Sequence, residues 1–120
     1  MDYKLWENSP GRSPVKKELL DLAQKDMQSV KAIGKNFKRF EKLSYENLRK
    51  SKTIDKLQGK NPNKIHYYRI SLPKKIARIF FIIKGSTAVF LHLIIKKSDD
   101  IKNKERSTAE DRAKIAILEE

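Results

Sequence analysis

Two arginines and two histidines stand apart from the many charges of this chain. Arg69 lies in the run Ile65-His66-Tyr67-Tyr68-Arg69-Ile70, and Arg78 is the one charged residue between Lys75 and Lys84. His92 sits among Phe90, Leu91, Leu93 and Ile94, and a lysine pair, Lys96-Lys97, follows. A lone guanidinium in apolar, strand-like sequence is costly unless it is solvated or meets an anion. An arginine beside tyrosines can hold a phosphate while a base stacks nearby. The competing readings are structural: a helix carboxylate could pair with Arg78, Arg69 could be a solvated sheet charge, and Lys96-Lys97 a soluble strand end. His92 alone reads more readily as a hydrogen-bonded packing residue than as an acid–base group, and so does His66.

These residues belong to an unusual block. From Lys56 to Ser98 there is no Asp or Glu, while Lys56, Lys60, Lys64, Arg69, Lys74, Lys75, Arg78, Lys84, Lys96 and Lys97 are all basic. The chain carries a formal charge of +13 in 120 residues. The block supplies ten of those charges, because the remaining 18 basic and 15 acidic residues nearly cancel. Strand-forming sequence with that much positive charge is a surface suited to a polyanion. Lys60, Lys64, His66, Lys74, Lys75 and Lys96 are the candidate contacts of that surface with a polyanion such as RNA.

Several chemistries are excluded or disfavoured. The chain has no cysteine, which removes disulfides, thiolate metal sites and cysteine nucleophiles. The block holds no carboxylate pair, no His-x-x-x-His, no Gly-rich phosphate loop and no acidic cluster for Mg²⁺, so neither a metal nor a cofactor is expected. A two-metal nuclease is therefore not the expectation. Metal-free RNA cleavage remains, in which the ribose 2′-OH attacks its own phosphate and Arg and Lys neutralise the growing charge. No apolar run approaches the roughly 20 residues needed to span a bilayer, and the first residues show no apolar signal core. The expected location is the cytoplasm, with no membrane partner.

The elements that would position these residues follow from spacing. One domain covering residues 1–120 is expected from the length. Residues 2–7 alternate loosely, as in a short strand. Ser13-Pro14 opens a helix with Val15, Leu19, Leu22 and Ala23 on one face. Asp26 caps a second helix carrying Val30, Ile33, Phe37 and Phe40 at helical spacing. Residues 44–63 read as a mixed polar connection pinned by Leu48, Ile54 and Leu57. Three strands follow, at 64–72, 76–83 and 87–95, joined by short turns. A final helix reaches about Leu118; Ser107 and Glu110 match a capping box, and Glu105 and Arg106 would equally suit its first turn. The expected class is α+β, in the order β-α-α-β-β-β-α, an antiparallel sheet with helices packed on one face. Alternation then places Ala77, Ile79, Phe81 and Ile83 toward the helices, and Ile76, Arg78, Phe80 and Ile82 on the open face.

In this order the residues resemble the RelE/ParE toxin superfamily of bacterial toxin–antitoxin pairs, and most of all its HigB-like, phage-derived branch. The likeness covers about residues 13–117. It rests on Ser13-Pro14-Val15-Lys16 at a helix opening, on Ile54-Asp55-Lys56-Leu57-Gln58-Gly59, and on Tyr68-Arg69-Ile70. It continues in Ala77-Arg78-Ile79-Phe80-Phe81, in Leu91-His92-Leu93-Ile94-Ile95-Lys96-Lys97-Ser98, and in Glu105, Ala109 and Arg112 of the last helix.

The resemblance implies a RelE-like fold and a metal-independent, ribosome-dependent mRNA endonuclease that inhibits translation, neutralised by an acidic antitoxin protein. Carried over, Arg78 would hold the scissile phosphate, Arg69 and Lys97 would stabilise the transition state, and Lys60, Lys64 and Lys96 would grip mRNA on the ribosome. The chain departs from the family pattern. Tyr67 replaces a glutamate before the first arginine, Phe81 replaces a tyrosine, Arg106 replaces an isoleucine, and a C-terminal tyrosine base has no counterpart. His66 and His92 are the remaining candidates for the proton acceptor, so His92 joins Arg69, Arg78 and Lys97 as a catalytic candidate. Two alternatives stand beside this reading: a ParE-like inhibitor of DNA gyrase without nuclease activity, and a non-catalytic RNA- or ribosome-binding module.

Overall fold

A computed structural model describes residues 1–97 and 100–119, the side chain of Arg49 excepted. Ser98, part of one motif above, lies outside the described residues. The chain runs β1 (Asp2–Leu5), α1 (Pro14–Lys25), α2 (Met27–Glu41), α3 (Tyr45–Lys50), β2 (Ile54–Lys56), β3 (His66–Leu72), β4 (Lys75–Lys84), β5 (Thr87–Lys96) and α4 (Asn103–Leu118). The five strands form one sheet in the order β1-β5-β4-β3-β2. The α+β class is as expected.

Local chemistry sets most of the boundaries. Ser13 accepts from the Lys16 N–H at the start of α1, and Pro14 occupies the first helical position, where its missing N–H costs nothing. Asp26 ends α1 and caps α2 by accepting from the Ser29 N–H at 3.1 Å. The β3–β4 turn is Pro73-Lys74, with Lys74 at φ 61°. Gly85 opens the β4–β5 turn at φ 62°, the left-handed φ that a two-residue hairpin commonly needs there.

The layering departs from an antiparallel sheet with helices on one face. β1 pairs with β5 in parallel, so the sheet is mixed. α1 and α2 cover one face, where Val15, Ile33, Phe37 and Phe40 pack on Ala77, Ile79, Phe81 and Phe90. α4 covers the other, where Ala109, Ala113 and Ala116 pack on Phe80, Ile82, Leu91 and Ile94. The reason lies in residue size: three alanines on one side of α4 let it lie close to the sheet, while Ile115, Ile117 and Leu118 remain exposed. The expected alternation in β4 holds for the α1/α2 side. The side expected to be open is largely roofed.

One irregularity sets the phase of β5. Phe80 pairs with His92 but Phe81 pairs with Phe90, so Leu91 is an extra residue. Such a bulge places two successive side chains over one partner. Ala88 and Phe90 therefore face α1/α2 before it, as Leu93 does after it, while Leu91 and Ile94 face α4.

Candidate nucleic-acid interface

The register brings two of the sequence candidates together. Arg69 and Arg78 are directly opposite each other on β3 and β4, in positions whose Cβ atoms lie about 5 Å apart. Both are on the α4 side of the sheet, in the row beside Tyr67 and Phe80. The Arg78 guanidinium carbon sits 5.9 Å from the centre of the Tyr67 ring. Lys96 shares that side, opposite Ile76. Arg69 keeps partial exposure and donates from Nη2 to the Lys52 carbonyl at 3.4 Å.

Arg78, however, is not on an open face. Only 1% of it is accessible, because the α4 layer closes that side. A phosphate reaches it only after a rearrangement there. Lys96 is likewise engaged, ion-paired with Glu105 in the first turn of α4. Burial alone would raise the Glu105 carboxyl. The Lys96 ammonium and the Lys102 N–H outweigh it, so its pKa is lowered. Glu105 also accepts from the Lys102 N–H at 2.8 Å, so α4 begins at Asn103, with Glu105 and Arg106 in its first turn and Ser107 within the helix.

The remaining candidates separate. Lys75 is on the α1/α2 side, 2.5 Å from Asp26, which makes it a tie between β4 and the α1–α2 junction rather than an RNA contact in this arrangement. Lys97 is exposed beyond the end of β5, and Lys74 is exposed at its turn. Lys84, also in the basic block, donates to the Ala116 carbonyl at 2.8 Å and to the Glu119 carbonyl, where the negative end of α4 favours a cation. Lys56, Lys60 and Lys64 are exposed together around the turn that joins β2 to β3. His66 is on the α1/α2 side, its ring stacked on Phe81 at 5.5 Å, so it does not meet Arg69 or Arg78.

His92 forms a cluster that the sequence did not signal. Beyond Leu5 no strand among the described residues covers that edge of β5, and side chains take that place. Glu18 Oε1 accepts from the Leu93 N–H at 3.0 Å, while Oε2 lies 2.8 Å from His92 Nδ1. Arg112, from the opposite layer, donates to the Leu91 carbonyl at 2.8 Å and lies 3.6 Å from Glu18. Its Nη1 is also 3.1 Å from His92 Nδ1. At 2.8 Å from a carboxylate oxygen that nitrogen carries the proton, so it donates to Glu18 and Arg112 serves the carbonyl and the carboxylate. In the neutral ring Nε2 is then the acceptor. Glu18, His92 and Arg112 are too far apart in sequence for any spacing rule to join them.

Among the described residues no group of three or more His, Asp or Glu could hold a metal ion, and no helix is long and apolar enough to cross a membrane. Comparison with known proteins returned no matching family model, curated protein or solved structure.

Proposed function

We propose that this protein acts on RNA, as a metal-independent endoribonuclease toxin that cuts mRNA on the ribosome and is held in check by an acidic antitoxin protein. The observation that carries the reading is the cross-strand pair Arg69–Arg78 beside Tyr67. Two arginines directly opposite each other on neighbouring strands can converge on one phosphate, each offering a fork of donors. In this reading the arginines neutralise the charge that grows on the phosphorane. His92, oriented by Glu18, takes the 2′-OH proton on Nε2. Substrate entry displaces the first turn of α4, which frees Lys96 from Glu105.

The burial of Arg78 favours a second reading, an RNA- or ribosome-binding module that meets its partner through exposed lysines and does not cut. Inducible expression in a bacterium, with mapping of mRNA 5′ ends, separates the two. The nuclease reading expects growth arrest and new cuts within translated codons, both lost in Arg69→Ala and in Arg78→Lys. Arg78→Lys keeps a cation but loses the fork of donors, and its thermal unfolding is measured alongside to exclude a folding defect. RNA binding without cuts selects the module. Arrest with DNA damage and intact mRNA selects a ParE-like attack on gyrase.

A further inference from the structure

On the side of the sheet away from Arg69 and Arg78 there is a cavity of about 620 Å³ between α3, β2 and the turn leading into β3. That volume is in the range of small-ligand sites. Its apolar wall includes Leu48, Ile54 and Ile83. Its polar lining includes Lys56, Lys64 and His66. Lys56 and His66 are directly opposite each other on β2 and β3, and Lys64 lies two residues before His66. Both lysines border the cavity and are exposed, on its solvent side. Asp55 also borders the cavity, but it pairs with Tyr67, and alternation sends its carboxylate to the other face.

Two details show a built site rather than a surface hollow. Lys64 holds φ at 53°, a left-handed conformation that side chains other than Gly and Asn rarely adopt and that persists where its surroundings impose it. Here the Lys64 N–H donates to the Asn61 carbonyl, and the Asn61 side chain clamps both the N–H and the carbonyl of Ile65. Second, His66 Nδ1 lies 3.1 Å from the Lys64 carbonyl. Burial lowers its pKa below the usual value, more than the Lys64 contact raises it, and Lys56 lowers it further. A neutral ring donating from Nδ1 has Nε2 as an acceptor.

We propose that this cavity binds one nucleotide. Its base enters against the apolar wall, an exocyclic amine or ring N–H meets His66 Nε2, and the phosphate is held by Lys56 and Lys64 on the solvent side. Tyr45, which also borders the cavity, offers a ring for stacking. The proposal goes beyond the cleavage reading, because the cavity is on the opposite face from the arginine pair and its occupancy needs no chemistry.

The experiment is an NMR titration of the full chain with the four 5′-nucleoside monophosphates and, separately, inorganic phosphate. The expected result is saturable one-to-one binding with shifts centred on Tyr45, Leu57, Lys64 and His66. At least one nucleotide should bind about tenfold more tightly than phosphate. Lys64→Asn keeps a residue that tolerates the left-handed backbone and removes the charge; it should weaken binding about tenfold. Competition by a short single-stranded RNA at lower concentration assigns the site to a nucleotide within a chain, and no competition assigns it to a free nucleotide. Equal binding of nucleotide and phosphate, or shifts centred elsewhere, overturns the proposal. Arg78→Lys should leave the titration unchanged, so failure here and failure of the nuclease reading are separable.

Discussion

Single residues in this protein carry more than their sequence context reveals. Asp26 accepts from Ser29 through both the backbone N–H and the hydroxyl, and pairs with Lys75. The Lys75 contact first, and Ser29 next, lower its carboxyl from an ordinary 3.8 to about 2. A carboxyl depressed in the folded state contributes stability above its unfolded pKa and loses it as pH falls through the folded value. Asp26 should therefore help hold the fold above pH 4 and cease to do so as pH falls toward 2. Asp26→Asn should flatten the pH dependence of the urea midpoint in that window, with wild type as reference. The basic residues divide in the same way. Charge counting could not tell that Lys75, Lys84 and Lys96 tie elements together, while Lys56, Lys60, Lys64, Lys74 and Lys97 reach solvent. Their partners, on α1–α2 and α4, are far away in the sequence.

At the scale of elements, legibility followed length and contrast. β3, β4 and β5 were readable because each is a run of β-branched and aromatic residues between turn signals. α1 and α2 were readable from their caps and apolar spacing. α3 and β2 were not, since six and three residues are too few for a period to register. The side on which α4 packs was hidden because its buried face is alanine and its larger apolar residues point outward. Nor could sequence join Glu18, His92 and Arg112. That cluster also explains how the uncovered stretch of β5 is blunted, with side chains bonding Leu91 and Leu93 where a neighbouring strand would. α2 offers a clean measurement at this scale. Gly34 is exposed within the helix, and a methyl group added there meets nothing within 4 Å. Gly34→Ala should raise unfolding free energy by about 0.5–1 kcal/mol, since alanine loses less backbone freedom on folding, and a urea titration reads it directly.

For the molecule as a whole, the sheet is a partition between two cores, and the charge is distributed unequally around it. Lys56, Lys60 and Lys64 form an exposed basic corner around the β2–β3 turn, a surface open to a polyanion. RNA binding should therefore weaken steeply with salt, each neutralised phosphate on a single strand contributing a log–log slope of about 0.7. Replacing these three lysines by glutamine should reduce the slope by about 2 if all three contact phosphate, as read by fluorescence anisotropy of a labelled oligonucleotide across a salt series. The same variant in which the slope does not change would move the contact surface to Lys74 and Lys97.

The extra residue at Leu91 acts as a phase shifter for everything downstream on its strand. Without it, regular pairing would continue and each later side chain would exchange faces. His92 and Lys96 would be driven into the layer of α1 and α2, Leu93 would leave the core it fills, and Glu105 would lose its partner. A defect in the hydrogen-bond ladder is thus what allows one strand to serve two different neighbours, a greasy floor for one pair of helices and a polar rail for another. The chain gives up one regular pairing step, and in return the imidazole and the strand-end ammonium sit on the same side as the two arginines.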